Sequence, residues 1–229
     1  MFSSFFDQVL HLFSYYNLLL LAQGALATLA LSVIGCVVGF AAGFVVAVLR
    51  ITRSRAMAPL RALMFAYCLL FRRIPFLVTL MLVFFITQGI NANLSLFTVA
   101  LISVCLIGGA YLGEIVRSGL ESVHANQWEA ALTLNFSYLE ALRYVIVPHA
   151  WRVILPPTFG YFVMFIKDTA LASQIGVMEL TGAGKVLSDK GFSASLVYGT
   201  ILAVYFAMSY PLSRLGKRME MKLAATRNR

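Results

Sequence analysis

Charge is scarce in this 229-residue sequence: Asp, Glu, Lys and Arg make up 12% of it, where a soluble domain carries about 25%. With 61% hydrophobic residues and a mean hydropathy of +0.87, a water-soluble globule is excluded and a polytopic membrane protein is implied. Cysteine is equally sparse. Cys36, Cys68 and Cys105 each lie inside an apolar run, so they read as small buried hydrophobes and not as a disulfide or zinc framework. The three histidines, His11, His124 and His149, have no metal-ligand spacing, and no nucleophile elbow occurs. Gly182-Ala183-Gly184-Lys185 faintly suggests a phosphate loop, but Glu179 stands where the first Gly is needed and Val186 replaces the Ser or Thr. A secretory cleavage pattern is missing too, and Asp7 is the only charge before the first apolar run, so that run is expected to be retained.

What the chain has in abundance is apolar sequence. No charged residue occurs from 8 to 49, and about 20 helical residues cross a hydrocarbon core. Five spans are expected, over 18–49, 57–87, 96–116, 153–178 and 192–213. The uncharged run 74–113 divides in two because Gln88-Gly89-Ile90-Asn91-Ala92-Asn93 supplies turn chemistry in its middle. A polar, Gly-rich link over 181–191 is expected between the last two spans. Gly35, Gly39 and Gly43 recur every four residues in the first span, which leaves one helix face bare for close helix packing. The chain is expected to be a single transmembrane domain over 1–229.

The basic residues set the orientation. Segments 50–61, 117–152 and 214–229 hold four, three and six Lys or Arg, the link 181–191 holds two, and the tail and the 88–96 link hold none. By the positive-inside rule the first three segments face the cytoplasm, the N-terminus lies outside and the C-terminus inside. The net charge of +9 then needs no nucleic acid as a partner. The C-terminal basic cluster can also attract membrane lipid.

The cytoplasmic segment 118–151 carries helix signals and not linker composition. Asn126 is expected to cap a helix through Thr133, and Asn135 to stop it in the left-handed conformation. Ser137 and Glu140 fit a capping box that starts a second helix, which Pro148 is expected to bound. The result is a short helical hairpin.

Glu129-Ala130-Ala131, Asn135 and Ile146-Val147-Pro148 in this hairpin resemble the cytoplasmic signature of permease subunits of ATP-binding-cassette importers for polar amino acids. That signature is Glu-Ala-Ala, three residues, Gly, and later an aliphatic residue with Leu-Pro. Residues 71–77 (FRRIPFL), 111–117 (YLGEIVR), 119–128 (GLESVHANQW), Leu155-Pro156-Pro157 and 167–171 (KDTAL) are similar to the family in the same order. The resemblance runs from about residue 24 to 220. It implies an all-α, five-span, type I importer permease fold in a bacterial inner membrane, with the hairpin as a coupling helix. That helix docks on a dimer of cytoplasmic ATPases, which bind ATP and Mg, so that this chain itself holds no cofactor and is no enzyme. A periplasmic or lipid-anchored amino-acid-binding protein and a second permease subunit are implied as further partners.

In the implied coupling site Trp128, Glu129, Ala130, Ala131, Leu132 and Asn135 carry the contact. Trp128 and Leu132 lie four apart to fill a cleft, and Glu129 pairs with a cation on its rim. Without the resemblance, a helix lying on lipid fits as well. Inside the spans, Arg72, Arg73, Glu114, Lys167 and Asp168 interrupt apolar sequence, where charges face a cavity or a partner. An amino acid brings an ammonium and a carboxylate. Asp168 is expected to hold the first, Arg72 to fork onto the second, and Thr169 to add a hydroxyl. The resemblance likewise implies that Arg72, Lys167, Asp168 and Thr169 line the pathway. A structural pair of Asp168 with Arg72 or Lys167 is the rival. Glu114 and Arg117, three apart on one helix, are expected to form a gate or a structural pair.

Two departures from the family stand out. Arg73-Ile74 replaces the usual Gly-Thr before Pro75, and Gly108-Gly109 replaces a common Asn-Ser before Tyr111. Both remove polar groups that bind substrate, which favours a heterodimer in which the other permease holds most of the site. An ion-coupled secondary carrier or a non-transporting assembly or anchor protein are the alternative functions, although the internal repeats of most carriers are missing.

Overall fold

The computed structural model describes residues 5–52 and 54–227. Arg53 and Arg229, both counted in the charge argument, lie outside the described residues. Among the described residues ten α-helices follow one another: α1 (Phe5–Leu12), α2 (Tyr15–Ile51), α3 (Ala58–Arg73), α4 (Phe76–Gly89), α5 (Leu96–Glu121), α6 (Ala125–Thr133), α7 (Tyr138–Ala141), α8 (Val147–Asp168), α9 (Leu180–Asp189) and α10 (Ala194–Arg227). Strands are absent among the described residues. Of the helices, α2, α5 and α10 are long and apolar enough to cross a membrane, and α3 with α4 make a fourth such span if taken together.

Three expectations change, and one helix is added. The span 57–87 is two helices, because Pro75 has no N–H to continue the ladder of α3 and instead stands at the N-cap of α4. The span 153–178 is helical only to Asp168 and then tightens into a 3-10 segment, Thr169–Ile175, ended by Gly176 at φ +91°. The link 181–191 is the helix α9, with Leu180, Gly182, Ala183, Gly184 and Leu187 buried. Its small residues serve close packing: a Cβ on Gly182 would lie 2.6 Å from the Val177 carbonyl oxygen, and one on Gly184 would strike Ile201. Finally, a short helix, α1, precedes the first long one.

Two compact units divide the chain. One comprises Met1–Cys36, Ile74–Cys105 and Phe162–Pro211. Its apolar interior has two clusters, one of Leu12, Leu21, Leu180, Leu187 and Ile201 with their neighbours, the other of Leu31, Leu80, Val99, Ala172 and Ile175 with theirs. The other unit comprises Val37–Arg73, Leu106–Tyr161 and Leu212–Arg229, and its core gathers Ala47, Val116, Leu120, Leu142, Ile146, Ala150 and Ile154.

In this second unit the glycine repeat of α2 meets glycines of α5. A Cβ on Gly39 would lie 3.0 Å from the Gly108 backbone, and one on Gly43 would lie 2.5 Å from the Gly113 nitrogen. Backbone therefore rests on backbone, as the four-residue spacing requires. Gly108-Gly109 belongs to the same contact. Where a side chain on Gly109 would stand, the Tyr67 hydroxyl is only 2.7 Å away, and that hydroxyl donates to the Leu106 carbonyl. The space left by the Gly pair is thus filled by packing.

Candidate functional site

Charge gathers in the second unit around one carboxylate. Glu114, on α5, accepts from Arg50 Nη1 of α2 at 2.6 Å and from Arg117 Nε at 3.0 Å, while Arg72 Nη1 of α3 lies 3.2 Å away. Arg117 bonds Glu114 a second time and also reaches Glu121. Glu114 and Arg50 are 17% and 10% exposed, so this anion and its partner on α2 are mostly withdrawn from solvent; Arg72 is 40% exposed. The expected Glu114–Arg117 pair is present, and it is half of a larger network. Position alone predicts the (i, i+3) contact, whereas Arg50 and Arg72 come from distant sequence. Arg72 also lies over the ring of Tyr111 at 5.8 Å, the Tyr111 hydroxyl donates to the Arg72 carbonyl at 3.1 Å, and Tyr111 stacks on Tyr161.

The Lys167-Asp168-Thr169 motif lies in the first unit, at the junction of α8 and the 3-10 segment. Lys167 is exposed, Asp168 half-buried and Thr169 buried. The Thr169 hydroxyl donates to the Ile166 carbonyl at 3.0 Å, which leaves its lone pairs as the group it can offer. Among the described residues Asp168 makes no ion pair.

The hairpin forms with two corrections. His124, not Asn126, caps α6, its Nδ1 accepting from the Asn126 N–H at 3.4 Å; Asn126 sits inside the first turn. At the other end Asn135 adopts φ +60°. The Asn135 N–H donates to the Leu132 carbonyl at 3.0 Å and the Phe136 N–H to Ala131 at 3.1 Å, the paired bonds of a Schellman ending. Ser137 and Glu140 close the capping box: Ser137 N–H donates to Glu140 Oε2 at 2.8 Å and Glu140 N–H to Ser137 Oγ at 3.4 Å. The Ser137 hydroxyl, donating to Glu140 Oε2 at 2.7 Å, and the Ser137 N–H hold that carboxylate below the usual range. Pro148 does not end the second helix. A π-helical turn, Leu142–Ile146, lies just ahead of it, and the wider turn accommodates the missing N–H and the ring that would clash in a regular α-helix.

Trp128 and Leu132 part company. Trp128 stacks on Tyr138, ring centroids 5.4 Å apart, and packs against the unit's core. Leu132 is exposed, together with Leu134 and Leu139. Ala131 is buried, Ala130 and Glu129 are exposed, and Thr133 back-bonds to the Glu129 and Ala130 carbonyls. The outward apolar contribution of the hairpin therefore comes from its leucines, and the inward one from Trp128.

One buried acid escapes sequence reasoning altogether. Glu179 is fully buried in the first unit and caps α9, accepting from the N–H groups of Thr181 at 3.0 Å and Gly182 at 2.8 Å. It also accepts from Thr28 Oγ1 of α2 at 3.2 Å and the Tyr205 hydroxyl of α10 at 2.9 Å, so that one carboxylate ties three helices. Its occupation of the α9 N-terminus disposes of the phosphate-loop resemblance, since the donors an anion would need are already taken.

Helices long and apolar enough to cross a membrane, a network of mostly buried charges and a capped hairpin joined to them mark a helical membrane protein. The chain matches, over residues 37–213, the family described as binding-protein-dependent transport system inner membrane component, and it belongs to that family. Relatives include the L-cystine transport system permease protein TcyB of Bacillus subtilis, 33% identical over 89% of this chain and 86% of that one. The glutamine transport system permease protein GlnP of Escherichia coli K12 is 34% identical over 89% and 93%. Among solved structures, an amino acid ABC transporter with histidines superposes at TM-score 0.83 and 27% identity, covering 97% of this chain and 100% of that one. The MetNI methionine ABC transporter shares the fold, at TM-score 0.78 and 22% identity over 92% and 99%. The fold is that of the type I importer permeases.

Proposed function

We propose that the chain is one permease half of an ATP-driven importer of polar amino acids in a bacterial inner membrane. The relatives that transport glutamine and cystine support the substrate class. The observation that carries the mechanism is the hairpin, whose Glu-Ala-Ala sequence is rigidified by a Schellman ending and a capping box and presents Glu129 and exposed leucines outward. Such a face suits a cleft on an ATPase subunit, where Leu132 supplies the apolar contact, Glu129 the rim charge and Trp128 the internal brace. Two ATPases bind ATP and Mg, and their closure moves the hairpin against the membrane helices. A binding protein delivers the amino acid from outside, where the N-terminus lies, while the C-terminus and the hairpin face the cytoplasm. Along the pathway Asp168 receives the α-ammonium and Arg72 the α-carboxylate, Thr169 offers a hydroxyl lone pair, and Lys167 lies at the rim. Glu114, Arg117, Arg50 and Arg72 form the gate. The partner permease is a different chain, since Gly108-Gly109 is committed here to helix packing.

The test is Glu129→Lys in the reconstituted complex. Uptake and its coupling to ATP hydrolysis are expected to fall together, with complex yield unchanged. Wild-type uptake with wild-type stimulated hydrolysis would overturn the coupling assignment.

A further inference from the structure

Residues 50–61 hold four arginines and no acid, and two of these arginines border a cavity that the transport reading does not use. Its volume is about 380 Å³, and it is lined by Arg50, Arg61, Phe65, Arg117, Glu121 and two alanines of α3. Arg50 and Arg117 both pair with Glu114, and the cavity's one carboxylate, Glu121, is taken by Arg117. Arg61 is different. It donates Nη1 to the Thr52 carbonyl at 2.9 Å and makes no ion pair among the described residues, so most of its five donors remain for an anion. Phe65, over which Arg50 lies at 5.4 Å, stands one turn along α3, and Leu69 one turn further. Both are exposed, and they form an apolar track leading from the cationic end along the same helix face.

A cationic cavity continuous with an apolar helix face matches an amphiphile with an anionic head. We infer that this cavity binds the phosphodiester headgroup of an anionic glycerophospholipid, with Arg61 as the main contact and the acyl chain along Phe65 and Leu69. A free anion would need the arginine but not the track. The cavity holds a phosphodiester and its glycerol, leaving the chains outside it.

The full chain, purified in detergent, is mixed with phosphatidylglycerol or phosphatidylcholine and read by native mass spectrometry for retained lipid. Wild-type protein is expected to retain phosphatidylglycerol over phosphatidylcholine, Arg61→Gln to lose about fivefold of that retention, and Arg61→Lys to keep most of it. Substituting Lys217 and Arg218 by Gln, away from the cavity, is expected to leave retention unchanged. Equal retention by Arg61→Gln and wild type, or no preference for the anionic lipid, would overturn the inference. So would a thermal stabilisation by inorganic phosphate alone that equals the one by phosphatidylglycerol, since the site would then be one for small anions. Should Arg61→Gln fail to fold, Phe65→Ser replaces it; a loss of phosphatidylglycerol retention with circular dichroism unchanged is expected, and full retention overturns the track.

Discussion

The backbone N–H of Phe136 donates to the Ala131 carbonyl at 3.1 Å, reaching back across the left-handed Asn135. That single bond reverses the chain, and it requires φ near +60° at position 135, where a β-branched residue is disfavoured. Asn135→Gly is therefore expected to leave thermal stability within about 0.5 kcal/mol of wild type, and Asn135→Val to cost about 1–2 kcal/mol. Thermal unfolding of the full chain in detergent reads both; a Val variant as stable as wild type would remove the strain argument.

The Glu114 cluster ranks its own mutants. Glu114→Gln leaves three guanidinium groups crowded around a neutral amide, with only Glu121 to balance them, whereas Arg50→Gln leaves Glu114 still paired with Arg117 and Arg72. Removing the anion from this mostly buried site is expected to cost about 2–4 kcal/mol, and removing Arg50 clearly less. The order of melting temperatures checks it, and an inverted order would contradict a shared counter-anion.

Much of this is legible in the amino-acid sequence, and the remainder is not, for identifiable physical reasons. Asn135, the Ser137–Glu140 box and the Gly39–Gly43 spacing are local devices, in which the residue type states its own backbone or packing requirement. Glu179 is the opposite case. Its partners Thr28 and Tyr205 lie 151 and 26 residues away, and nothing in the surrounding sequence distinguishes a cap locked to two other helices from an acid in a polar link. The same blindness makes α9 read as a polar link, since Gly and Ala spaced for close packing resemble flexible composition. Pro148 reads as a stop because the π turn ahead of it has no sequence mark. Hydropathy measures burial and not helix continuity, so the break at Ile74-Pro75 vanished inside an apolar run.

Acid should loosen the hairpin selectively. The carboxylate of Glu140 sits below its ordinary value of 4.5 because its charged form accepts the Ser137 N–H and hydroxyl. A depressed folded pKa means that the stabilisation is fully present above 4.5 and is lost as the pH falls through the lower folded value. Hydrogen exchange at the amides of residues 137–141 is expected to accelerate, beyond its intrinsic pH dependence, below that point in wild type. Glu140→Gln should show the loosened state at neutral pH. Exchange unaffected by acid would contradict the box.

Asp168 separates a transport role from a structural one. It is half-buried, its motif neighbour Lys167 is exposed, and no ion pair holds it among the described residues, which removes the main reason to expect a folding penalty on neutralisation. Breaking a buried pair would cost about 3–5 kcal/mol and lower the yield of assembled complex. Asp168→Asn keeps size and hydrogen-bonding capacity while deleting the charge that a substrate ammonium needs. The expected outcome is therefore normal assembly in the membrane with uptake lost or strongly reduced, read by complex yield and by substrate accumulation in the same preparation. Poor yield would point instead to a structural pair, and wild-type uptake would falsify both roles. If Asp168→Asn is mild while the equivalent change in the second permease abolishes uptake, this chain is the half that does not bind substrate. That result would overturn the substrate role of Asp168 but keep the pairing of two different permeases, which the closing of Gly108-Gly109 against Gly39 and Tyr67 supports.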